Sequence, residues 1–67
     1  MKFDNAFVTK QGFVGMQFFS SKGKLLTAYE EQTKIGIIIR TSDEASEAEK
    51  AQLEVEYQKR KKFYIHK

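Results

Sequence analysis

Lys10, Lys22, Lys24, Lys34 and Arg40 are interleaved along the first part of this chain with Phe7, Phe13, Phe18, Phe19 and Tyr29. Cations neutralise phosphates and flat rings stack on bases, each stacked base contributing roughly 1–3 kcal/mol, so the mixture suits single-stranded nucleic acid. Lys22 and Lys24 flank Gly23 in "SSKGK" and are the best placed for phosphate contact, with Phe18 just upstream as a stacking ring. A second run of cations, Lys59 to Lys62, either adds to the same field through Lys59 and Arg60 or is simply solvated. Six phenylalanines in 67 residues must first of all build a core, so one or two rings at most are expected to be free.

Catalysis has few candidates. The single histidine, His66, stands one residue from the end, where fraying makes a poor general base. Asp4, Glu30, Glu31, Asp43 and Glu44 have no spacing that gathers them around a cation, as metal-assisted hydrolysis requires. Glu30 and Glu31 are expected at a hairpin rim, and Asp43 and Glu44 in the first turn of a helix. The four glycines match no phosphate-binding loop, and without cysteine there is no thiolate metal site. The expectation is a binding protein that is not an enzyme and uses neither cofactor nor metal.

The elements that must position these residues follow from composition and pattern. A chain of 67 residues has room for one core, over 1–67, because a domain this small buries only about 60% of its unfolded surface. Its 40% hydrophobic and 31% charged content is that of a globular domain, with no apolar run near the ~18 residues of a membrane span. "MKFDNAFV" has an aspartate where a secretory signal is apolar, which points to the cytoplasm.

Aromatic and β-branched runs separated by glycine and polar residues predict strands at about 2–9, 12–20, 24–31 and 34–41. In the third run, Leu25, Ala28, Tyr29 and Gln32 also fall at helical spacing, so a short helix competes with the strand. The flanking turn signals favour the strand. From 43 to 62 helix formers dominate, and both Thr41 to Glu44 and Ser46 to Glu49 match the capping box. Acids near the start of this helix and bases near its end suit its dipole without any ligand. "LEVEY" alternates as a strand would, but its flanks are helical. The expected class is therefore α+β, a small antiparallel meander of about four strands followed by one C-terminal helix.

In such a fold Val14, Met16 and Phe18 point one way and Phe13 and Phe19 the other, with Ile38 opposing Ile35, Ile37 and Ile39. The helix offers a thin stripe of Ala45, Ala48, Ala51 and Val55, with Leu53 and Tyr57 well round from it. One helix covers one face of a sheet. The face left over predicts a homo-oligomer, most simply a dimer, unless twist closes the sheet into a small barrel.

"FFSSKGKLL" followed by "KIGIIIRTSDEASEAEKAQL" resembles the Positive Cofactor Four family of single-stranded DNA-binding coactivators, over about Phe18 to Leu53. This resemblance implies a curved sheet backed by a helix, a dimer, and Lys22, Lys24 and Arg40 facing DNA. A rival reading starts from charge segregation. Residues 43–56 hold six acids against one base, while 57–67 hold five bases and no acid. A small protein-binding regulator or inhibitor, of the kind carried by bacteriophages and mobile elements, would present Glu47 and Glu54 to a larger basic partner.

Overall fold

A computed structural model describes residues 1–65. Four strands, β1 (Lys2–Val8), β2 (Val14–Phe19), β3 (Leu25–Thr33) and β4 (Gly36–Thr41), pair antiparallel in chain order, and α1 (Glu47–Ile65) follows. The α+β meander with a C-terminal helix is thus the architecture, and the ambiguous third segment is a strand. The sheet stays open, with β1 and β4 at its edges, so twist does not close it into a barrel.

The turns explain why the strands register as they do. Between β2 and β3, the Ser20 N–H donates to the Lys24 carbonyl at 2.8 Å, and the Ser20 hydroxyl accepts the N–H groups of Lys22 and Lys24 at 3.2 and 3.1 Å. The buried serine therefore has its oxygen satisfied. Gly23 takes φ +81°, a left-handed conformation that a side chain would oppose. Between β1 and β2, Thr9 exchanges bonds with Phe13, its N–H donating to the Phe13 carbonyl at 2.8 Å. Gln11 in this turn reaches across to the part of β3 that extends past the first residue of β2, its side-chain oxygen accepting the Gln32 N–H at 2.8 Å.

The helix starts at Glu47, later than the expected residue 43, for an identifiable reason. Of the two capping boxes in the sequence, the second forms: Ser46 Oγ accepts the Glu49 N–H at 3.2 Å and Glu49 Oε1 accepts the Ser46 N–H at 2.9 Å. Thr41 is still in β4, and Asp43 and Glu44 lie in the intervening turn.

The core lies wholly between the helix and one sheet face. Met16, Phe18, Leu26 and Ala28 from β2 and β3 meet Leu53 and Tyr57 from α1, with Ala45 ahead of the helix and Phe3, Val14 and Ile39 packed around them. Leu53 and Tyr57 are one helical turn apart and so share a face. This corrects the expected alanine stripe: Ala48, Ala51 and Val55 face solvent, Val55 being 56% exposed. Size decides the orientation. Burying a leucine contributes about 1.5–3 kcal/mol and a large aromatic at least as much, whereas alanines offer little area. The Tyr57 hydroxyl donates to the Val14 carbonyl, which settles the ring's polar end inside the core.

Candidate nucleic-acid interface

Residues paired across an antiparallel ladder point to the same side, so the register defines what the uncovered face carries. One row across the sheet is Phe7, Gly15, Tyr29 and Arg40. The next is Asn5, Gln17 and Thr27, and the third is Lys2, Phe19 and Leu25. Rows on one face are about 7 Å apart along the strands. Beyond the first row Glu31 pairs with Ile38 on the same side, so the face carries an acidic and apolar pair, an aromatic row ending in an arginine, a polar row and an apolar row ending in a lysine. Phe19 is 36% and Leu25 42% exposed, while Phe7, Tyr29 and Ile38 are half-buried.

Gly15 shapes the first row. A Cβ built there would lie 2.3 Å from Phe7 Cζ, because the Phe7 ring is laid across the glycine backbone. A strand glycine leaves a hole in a sheet surface, and a cross-strand ring fills it. Phe7 is thereby held flat against the sheet.

Cations surround this face unevenly. Lys22 and Lys24 lie in the β2–β3 turn, near Lys2 at the start of β1; Lys10 and Lys34 lie at the other end, in the β1–β2 and β3–β4 turns. All five are exposed. Lys24 is partly committed, its Nζ donating to the Glu44 carbonyl at 3.3 Å. Arg40 sits on the open face but is ion-paired with Glu31. That hydrogen bond and the carboxylate's charge raise the guanidinium pKa above its usual value, and they also offset the charge that a phosphate would meet.

Three expectations are corrected here. Phe18 is fully buried against the helix, with Phe3 edge-on at 5.7 Å between centroids, so it cannot stack on a base. Its neighbour Phe19 occupies the open face instead. Arg60 is turned inward, its guanidinium 4.8 Å from the Phe3 centroid and 5.9 Å from that of Phe18, within 3.9 Å of Glu56. Such cation–π contacts contribute about 0.5–1 kcal/mol each, and Arg60 belongs to the packing. Glu30 and Glu31 are not a hairpin rim: they lie within β3 on opposite faces, paired with Lys61 and Arg40 respectively.

The terminal cations therefore do not act as a cluster. Lys61 is tied to Glu30, Arg60 covers Phe3, and Lys59 and Lys62 line the outer helix face, all on the far side of the sheet from Phe19 and Tyr29. Glu47 and Glu54 are exposed on α1, Glu54 beside Val55 in a shallow groove of about 370 Å³. His66 lies outside the described residues. Among the described residues no three of His, Asp or Glu gather as metal ligands would, and no helix is long and apolar enough to cross a membrane.

Two features escape a reading of the sequence. Lys2 joins the open face because a bulge between Phe3 and Asn5 resets the alternation of β1. The Phe7 and Gly15 contact is legible only as an unexplained glycine inside a strand. No family model matches the chain, and neither a curated protein nor a solved structure does.

Proposed function

We propose that this protein binds single-stranded nucleic acid, DNA or RNA, on the open face of its sheet, acting as a homo-oligomer and without catalysis. The observation that carries this reading is the uncovered row structure: Phe7, Phe19, Leu25 and Tyr29 remain partly accessible on one face, with Lys2 on it and Lys10, Lys22 and Lys34 at its two ends. Rings supply a sequence-tolerant stacking surface and lysines at both ends track a phosphate backbone. The likeness of Phe18 to Leu53 to Positive Cofactor Four proteins accords with this, but the reading rests on the open face.

A fluorescence-anisotropy titration of a labelled single-stranded oligonucleotide at several salt concentrations tests it. Three or four phosphate contacts give a slope of log K against log salt of about −2 to −3. Lys22→Ala reduces that slope by about 0.7, and Phe19→Ala weakens binding by roughly 1–3 kcal/mol with the slope unchanged. No binding at low salt overturns the reading.

A second reading has one specific observation in its favour. Val55 is 56% and Phe63 76% exposed on the helix, with Glu54 beside Val55 and Glu47 further along. A basic partner protein would dock there, and Glu47→Lys with Glu54→Lys would abolish that interaction while leaving oligonucleotide binding intact.

A further inference from the structure

The two edges of the sheet differ in how they end it. On β1 a bulge between Phe3 and Asn5 interrupts the ladder, and Lys2 and Asp4 are both exposed there. Bulges and charges are the usual means of stopping an edge from recruiting another strand. The other edge, β4, has no bulge and a single charge, Arg40, already paired with Glu31: its register with β3 runs without a shift, it contains no proline, and its sequence is Gly36, Ile37, Ile38, Ile39, Arg40, Thr41. Ile37 is 53% exposed and Ile35, in the turn before it, 90%.

The phase of the ladder identifies which backbone groups are unpaired. Ser42 donates its N–H to the Thr27 carbonyl at 3.0 Å. Hydrogen-bonded and non-bonded pairs alternate in an antiparallel ladder, so Tyr29 with Arg40 and Glu31 with Ile38 are the bonded pairs. The N–H and C=O groups of Ile37, Ile39 and Thr41 therefore point out of the sheet, and among the described residues no turn, loop or cap bond reaches them.

We propose that β4 pairs antiparallel with β4 of a second copy of this chain about a two-fold axis at Ile39. Ile39 then faces the partner's Ile39 and Ile37 faces the partner's Thr41, so every outward group named above finds its complement. On the open face Ile38 lies beside the partner's Arg40, whose aliphatic stem covers it. The arginines do not oppose each other, and each keeps its own Glu31. A second copy fits because the pattern is self-complementary in this register. Two open faces become one continuous surface, and the apolar edge is removed from water without using the rings proposed for bases.

The pairing specifies the oligomer in the proposed function and rests on that reading only there, since its test needs no oligonucleotide. Sedimentation equilibrium of the full chain is expected to give twice 7.8 kDa. Ile38→Lys is the informative variant: within one copy the new lysine faces Glu31 and is tolerated, whereas in the pair it faces the partner's Arg40 and is repelled. It is expected at 7.8 kDa with an unchanged circular-dichroism spectrum, while Val8→Lys on the β1 edge keeps the wild-type mass. Amide hydrogen exchange gives an independent readout: Ile37, Ile39 and Thr41 gain protection with rising concentration, but Ala6 and Val8, which point outward from β1, do not. A wild-type monomer at high concentration, or Ile37, Ile39 and Thr41 exchanging as fast as Ala6 and Val8, overturns the proposal.

Discussion

The two faces of the sheet are built from the same strands by the same alternation, yet they differ in what they do. Phe18 and Phe19 are neighbours on β2: Phe18 has no exposure beneath Leu53 and Tyr57, while Phe19 is 36% exposed with no element above it. One face is closed by complementary packing and the other is finished by small corrections, such as the Phe7 ring over Gly15 and the Glu31–Arg40 pair. The larger share of the buried apolar area therefore lies on the helix side.

The sharpest way to break this contrast is truncation on either side of one peptide bond. Phe18→Ala is expected to cost about 3–5 kcal/mol, comparable with the whole stability of a domain this small, so the variant is largely unfolded. Phe19→Ala should cost roughly 1 kcal/mol, since much of its area is already in water. Urea denaturation followed by circular dichroism separates the two, and equal losses would remove the distinction between the faces.

Gly15→Ala probes the open face from beneath. The new methyl displaces the Phe7 ring, with an expected loss of about 1–3 kcal/mol. In a Phe7→Ala background the same substitution should cost much less, and the double-mutant cycle measures that coupling. Additive losses would mean that Phe7 does not rest on Gly15.

On the closed side, Tyr57→Phe removes the hydroxyl from the Val14 carbonyl and is expected to cost about 1–2 kcal/mol at neutral pH. It also changes the response to base. Burial, with a further contribution from the negative charge of Glu30, pushes the Tyr57 hydroxyl up to about 12 from an ordinary value of 10.0. Between those values the unfolded chain loses this proton while the folded one retains it, so stability is complete below pH 10 and falls toward pH 12. The phenylalanine variant should show a shallower loss over that window in denaturation at stepped pH.

An effect as small as that of Phe19→Ala lies outside both faces. Ser46→Ala removes the hydroxyl that accepts the Glu49 N–H and should cost about 1 kcal/mol, read as a lower thermal midpoint with the circular-dichroism spectrum of the folded state unchanged.

Much of this architecture is legible in the sequence, because turns and strands are decided locally. The serine and glycine of "SSKGK" give the β2–β3 turn, and parity along β2 is enough to set Met16 and Phe18 on the side opposite Phe19. What parity does not give is which of those faces receives the helix. That is decided by packing between segments distant in sequence, Leu53 and Tyr57 with Met16, Phe18 and Leu26, and so Phe18 reads equally well as a stacking ring. The helix is harder still: its burying residues, Leu53 and Tyr57, are the two ends of an alternating "LEVEY", and Ala48 and Ala51 offer a competing apolar stripe. Lys61 and Arg60 look alike as a basic run, and only their tertiary neighbours, Glu30 and Phe3, tell them apart from Lys59 and Lys62.

Strand order that follows chain order has a kinetic corollary. Each strand finds its partner across one short turn, so the meander can zip up hairpin by hairpin with little loop-closure entropy at any step. Sequence-local topologies of this kind are associated with rapid barrier crossing. The docking of α1 is the long-range step by comparison, since the bond from Tyr57 to Val14 closes a loop of 43 residues.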